Sequence, residues 1–115
     1  MAIVLDNQIA IYIPDTNGTR QIDSARYVER ALELFSNLFG GSTIESRPRA
    51  HNVTGAWKDS SGNLITEDIT IVESYTDKKT LAANIEIVRK WSLELKQELN
   101  QESLAIRVNQ TLELL

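Results

Sequence analysis

Few residues in this chain combine the type and the spacing that chemistry needs. His51 is its one histidine, and a general base or a metal ligand requires partners. Arg47, Arg49 and Asn52 lie near it in sequence. A metal site would want carboxylates or further histidines, so His51 reads first as a surface or turn residue. Glu67, Asp68 and Glu73 form the acidic candidate, for acid–base work or for a divalent cation. Glu67 and Glu73 share a strand face but stand six residues apart, roughly 20 Å at the usual strand rise, so they cannot act as one pair. Their plainer reading is solvation of a sheet edge and protection against edge-to-edge pairing. Trp91 falls on an apolar helical stripe and reads as core. Trp57 either covers the end of that core or lines a pocket. Tyr12, His51, Trp57 and Arg107 are the candidates for ligand binding, and no residue is assigned a catalytic role.

Several chemistries are excluded outright. The chain has no cysteine, so it forms no disulfide, thiol nucleophile or Cys-based zinc site. Gly40-Gly41 and Asn17-Gly18 match neither a P-loop nor a dinucleotide fingerprint, and there is no Gly-x-Ser-x-Gly. The expectation is no metal and no cofactor. A net charge of −4 without any basic run argues against nucleic acid as a partner. The start, MAIVLDNQIAIYI, lacks a basic region and a cleavage pattern. It is expected to be a strand, not a signal peptide or a membrane span. A cytoplasmic location with no membrane partner is the default that follows.

The elements that must position these residues follow from periodicity. At 115 residues, 42% hydrophobic and 24% charged, residues 1–115 should form one domain around one core. Alternation from Ile3 to Ile13 predicts a central strand whose odd face a helix buries. Pro14 to Thr19 is a loop by composition. Asp23 or Ser24 caps a helix with the stripe Val28, Leu32, Phe35 and Phe39, which Gly40-Gly41 ends. Thr43 to Arg49 reads as an irregular edge, since Pro48 forbids a central strand there. His51 to Tyr75 reads as a hairpin turning at Asp59-Ser60-Ser61-Gly62-Asn63. Ile65, Ile69 and Ile71 are placed on its core face, and Thr70 and Val72 on the other. Gly55 marks a bulge or a close backbone approach. Thr76 or Asp77 then caps a helix to about Leu99, with Leu81, Ile85, Val88, Trp91, Leu95 and Leu99 inward. A last strand spans Ser103 to Val108, and Thr111 to Leu115 is a tail or an extra edge strand.

This β-α-β-β-α-β order predicts an α+β, ferredoxin-like fold: a four-stranded antiparallel sheet with two helices on one face. The hairpin also resembles a family of small uncharacterised bacterial proteins. The matching residues are Gly55-Ala56-Trp57, Gly62 and Glu67, and Gln101-Glu102-Ser103 before the last strand. That resemblance implies a fold and no activity. Trp57, Ile65, Glu67-Asp68 and the Thr76-Asp77 step are similar to the PII-like divalent-cation-tolerance proteins. Their histidine-proline-tyrosine-glutamate motif is absent, and Asn100-Gln101-Glu102-Ser103 stands in its place.

With both helices on one face, the other face is expected to show Ala10, Tyr12, Thr70, Val72, Ala105 and Arg107. Such a charge-depleted patch with an aromatic and an arginine suits an interface centre. The leading expectation is therefore a non-enzymatic interaction or regulatory protein that assembles with itself, as a homodimer or larger ring, and takes a further protein partner. The alternatives are a small cofactor-independent enzyme of the dimeric ferredoxin-like type, and a PII-like small-molecule sensor.

Overall fold

The computed structural model describes residues 2–45 and 53–115, with backbone alone at 53 and 54. His51, Arg47, Pro48, Arg49 and Asn52 lie outside the described residues. The elements in chain order are β1 (Asn7–Pro14), β2 (Thr16–Asn17), β3 (Arg20–Gln21), α1 (Ala25–Phe39), β4 (Thr43–Glu45), β5 (Val53–Lys58), β6 (Leu64–Thr76), α2 (Lys78–Glu98), β7 (Ala105–Val108) and β8 (Thr111–Leu114). Among the described residues, the main sheet is antiparallel and six-stranded, where the sequence suggested four. Its order is β4-β6-β1-β7-β8, with β5 also on β6. The 13-residue β6 is long enough to hold β5 at Leu64–Ile69 and β4 at Ile71–Glu73. Thr111 to Leu115, read as a tail or an extra edge strand, contains the edge strand β8. The expected Pro14-to-Thr19 loop holds the end of β1 and the first strand and turn of the small hairpin β2–β3.

Local chemistry sets the element ends. The Asp77 side chain accepts from the Thr80 backbone N–H at 2.8 Å and caps α2, and this bond holds its carboxyl below the usual carboxylate range. Ser24 occupies the N-cap of α1 without a side-chain bond, while Asp23 accepts from the Ala25 N–H at 3.0 Å. Gly40 ends α1 in the left-handed conformation, φ 88°, and donates to the Ser36 carbonyl. Gly62 turns the β5–β6 hairpin at φ 83°, and Asp59 accepts from the Ser61 and Asn63 backbone N–H groups.

The core lies between the helices and one sheet face. Ile9, Ile11 and Ile13 of β1 meet Val28, Ala31 and Phe35 of α1, and Val88 and Leu95 of α2. Phe35 and Phe39, four residues apart, stack edge to face at 5.6 Å. Leu32, Ile85 and Trp91, expected inside, are half-buried and flank this core. Ser92 takes the central helical place instead; it is fully buried and bonds the Val88 carbonyl at 2.7 Å. Ile3 and Val4, expected in the first strand, precede it and are exposed.

One strand is inverted relative to the sequence reading. Val72 pairs with Ile11, and Thr70 with Ile13, so both face the helices, and Val72 is 0% exposed. Ile69 and Ile71 pair with Pro14 and Tyr12 and belong to the opposite face. The expected interface therefore loses Thr70 and Val72. It gains Glu73, which pairs with Ala10, and is not depleted of charge. Ala10 itself is fully buried. Alternation identifies a core face only when the other face is wet; here both faces of β6 carry buried side chains.

Three outcomes follow. Phe35→Ala should cost about 3–5 kcal/mol through lost burial plus a cavity, read from a urea midpoint; an unchanged midpoint would misplace α1. Val72→Glu should abolish cooperative unfolding, because it puts a carboxylate into the helix–sheet core. A parent-like melt would return Val72 to the surface. The third concerns acid. Arg89 donates to both Glu113 oxygens, at 2.9 and 3.0 Å, and this tie between α2 and β8 holds the Glu113 carboxyl below its ordinary 4.5. A lowered folded pKa contributes stability in full above the unfolded value and loses it as pH falls below 4.5. Arg89→Met should flatten that acid limb of the stability curve, measured by urea unfolding at successive pH values. An equally steep limb would exclude the pair as its source.

Candidate functional site

Gly55, Ala56, Trp57, Glu67 and Ser103, all residues of the first resemblance, meet at one place. Gly55 lies directly across from Glu67 in the β5–β6 pair, and Trp57 across from Ile65. Glycine in that position leaves room beside the Glu67 side chain. A Cβ at Gly55 would come within 2.4 Å of Ile69 Cδ1. This close approach is the feature that Gly55 signalled; the pairing itself runs without a bulge.

The space so left is a partly open cavity of about 190 Å³. It lies on the sheet face away from the helices. Tyr12, Gly55, Trp57 and Glu67 line it from the strands, and Ser103, Leu104 and Leu114 from the C-terminal part of the chain. Most of this wall is hydrocarbon. Among the described lining residues, Glu67 carries the one formal charge. A shallower polar depression, with Asp15 and Thr16 on its wall, shares Glu67 with the cavity.

Glu67 is held in place from behind. Its Oε2 accepts from the Thr16 hydroxyl at 2.8 Å. The Thr16 hydroxyl oxygen in turn accepts from Gln101 Nε2 at 3.2 Å, and the same nitrogen donates to the Thr16 and Leu99 carbonyls, each at 3.0 Å. Thr16 and Gln101 are both buried, so this chain is shielded and directional. It runs from the end of α2 through β2 to the cavity wall. The edge-guard reading of Glu67 and Glu73 is corrected accordingly. Glu73 is 7% exposed and pairs with Arg107 at 3.3 Å.

Arg107 stands on the same sheet face but does not line the cavity. Its Nε donates to the Tyr12 hydroxyl oxygen at 3.4 Å, its Nη1 to Gln8 Oε1 at 2.8 Å and its Nη2 to Glu73 Oε2 at 3.3 Å. Tyr12 first, and then Glu73, raise the pKa of Arg107 against the opposing effect of burial. Of the residues expected to bind ligand, the structure puts Tyr12 and Trp57 on the cavity wall and Arg107 behind Tyr12. The sequence reading missed Ser103, Leu104 and Leu114. Their role depends on β8 folding back beside β7, which a four-residue strand barely signals. Among the described residues, no group of three or more histidines, cysteines or carboxylates could hold a metal. No helix there is long and apolar enough to cross a membrane.

The fold has solved counterparts. A phage SAM lyase in complex with S-methyl-5′-thioadenosine superposes with a TM-score of 0.71 and 13% identity, covering 100% of this chain and 92% of the other. A phage SAM lyase in its apo state superposes with a TM-score of 0.61, again at 13% identity, over 100% and 94%. No family model matches the chain, and no curated protein does either. At this identity the likeness is one of fold. The two counterparts belong to neither family that the hairpin resembles. They are enzymes, and on that finding the expectation of a non-enzymatic interaction or regulatory protein is withdrawn.

Proposed function

We propose that the chain is a cofactor-independent lyase acting on S-adenosylmethionine and releasing methylthioadenosine. The observation that carries this reading is the single anchored carboxylate, Glu67, on the wall of an otherwise apolar cavity. An apolar wall with one fixed anion suits a ligand that joins an uncharged nucleoside to a cationic group. S-Adenosylmethionine is such a ligand, with its sulfonium and ammonium charges. The likeness in fold to phage lyases, one of them bound to methylthioadenosine, supports the same substrate class. We read β1, α1, β5, β6, α2 and β7 as a ferredoxin-like core, with β8 and the second edge strand β4 as additions.

The chemistry asks little of side chains. Breaking the bond between the sulfonium and the four-carbon amino-acid fragment turns a cation into a neutral thioether. Charge is lost at sulfur, and a site poor in water favours that change over the charged ground state. The fragment's own carboxylate can close on the carbon that sulfur leaves, giving a lactone and needing no external base. What the protein must supply is orientation. Glu67, fixed through Thr16 and Gln101, fastens the cationic half by its ammonium, whose charge the step leaves unchanged; Trp57 and Leu114 offer flat and aliphatic surface to the nucleoside.

The test is incubation with S-adenosylmethionine and chromatography of the products. The parent should form methylthioadenosine above the buffer blank. Glu67→Gln should slow its formation by roughly 10²-fold, the usual cost of removing one positioned electrostatic group. Gly55→Val should also abolish turnover, by forcing Ile69 into the cavity, while circular dichroism remains parent-like. Methylthioadenosine at the blank rate with folded parent protein would reject the lyase reading.

A further inference from the structure

Tyr12 stands between the cavity and Arg107. A guanidinium has five donors and no acceptor. In the Arg107–Tyr12 contact the tyrosine oxygen must therefore accept. A phenolic proton lies near the ring plane, on one side of the oxygen or the other, and Arg107 occupies one side. Among the hydrogen bonds of the described residues, the Tyr12 hydroxyl donates to none. Its proton is left for the side away from Arg107, and Tyr12, unlike Arg107, lines the cavity.

The rest of the cluster keeps Arg107 from moving. Gln8, Glu73 and Tyr12 each take one of its nitrogens, the Asn109 carbonyl shares Nη1 with Gln8, and the guanidinium plane is fixed by four acceptors at once. Arg107 and Glu73 are only 24% and 9% exposed at the side chain. Such a buried pair is poor evidence of stabilisation in itself. Its geometry does make sense as a device that holds one hydroxyl in one orientation.

We infer that Arg107 is a positioning residue that fixes Tyr12 as a hydrogen-bond donor into the cavity, toward an acceptor on the nucleoside half of the ligand. The nucleoside half is assigned because Glu67 draws the cationic half to its own part of the wall. The neighbours of Tyr12 there, Pro14, Ala105 and Leu114, suit an uncharged ring system. This assignment rests on the S-adenosylmethionine reading; the Arg107–Tyr12 coupling does not.

The experiment is a double-mutant cycle with methylthioadenosine as the probe, read by calorimetry. Its arms are Tyr12→Phe, the pair Arg107→Met with Glu73→Gln, and all three together. Glu73→Gln is included so that no buried carboxylate is stranded, and thermal melts check the fold. Tyr12→Phe should weaken binding roughly 3- to 10-fold, as loss of one hydrogen bond does. The Arg107–Glu73 pair should weaken it by a similar factor, and the triple variant no further. Multiplying losses would overturn the inference, because Arg107 would then act on its own. Parent-like binding by Tyr12→Phe would overturn it as well. A parent that binds no methylthioadenosine would count against the lyase reading instead. The coupling is then decided without ligand, by nuclear magnetic resonance of the Arg107 Nε–H. Tyr12→Phe should shift that resonance and speed its exchange with water, and an unchanged resonance would overturn the coupling.

Discussion

The register of β6 against β1 is the constraint on which everything else rests. Because Ile11 is opposite Val72, one set of alternate residues on β6 turns to the helices and the other turns away. A slip of one residue would exchange the two sets. It would bring Glu73 into the helix–sheet core and carry Val72 out, at the cost of burying an unpaired carboxylate. The observed register does the reverse. It gives Glu73 to Arg107 on the open face and puts Glu67 across from Gly55, where there is room for it. The packing of the helices and the position of the site are thus decided by the same pairing.

Two polar chains then divide the open face between them. One enters from the end of α2, through Gln101 and Thr16, and stops at Glu67. The other gathers Gln8, Glu73 and Arg107 and stops at Tyr12. Each ends with one polar group at the cavity, and hydrocarbon fills the wall between. Buried polar groups are tolerated when they are bonded, and both chains are bonded along their length. The result is a cavity that is mostly apolar but has an acceptor and a donor at set places. That pattern is what a small-molecule site needs for orientation, and a flat protein-binding face would have no use for it.

The sequence made much of this legible. Asp59 to Asn63 with Gly62 named the turn, Asp77 the cap of α2 and Gly40 the end of α1, because each acts through local hydrogen bonds or one dihedral angle. Tyr12 stood out as an aromatic on a face without helices, and Trp57 as either core cover or pocket wall. The face of β6 was misread for a physical reason: Ile69 and Ile71 outweigh Val72 and Thr70 in apolar content, yet cavity and cluster bury them from the second side. Glu67 was seen and set aside, since nothing local shows that Thr16, 51 residues away, holds it. The signal was there in Gly55, whose missing side chain faces Glu67 across the hairpin. Ser103 and Leu114 were out of reach, because they depend on β7 and β8 pairing at the sheet edge.

On the proposed reading, the cavity beside Glu67 takes the nucleoside of an S-adenosyl compound. Titrating methylthioadenosine into isotopically labelled protein, and mapping the amide shifts, tests it most directly. Saturable shifts centred on Gly55, Trp57, Glu67, Ser103 and Leu114, with α1 silent, are the expected result. Saturable shifts centred elsewhere, or none at millimolar ligand, would contradict it.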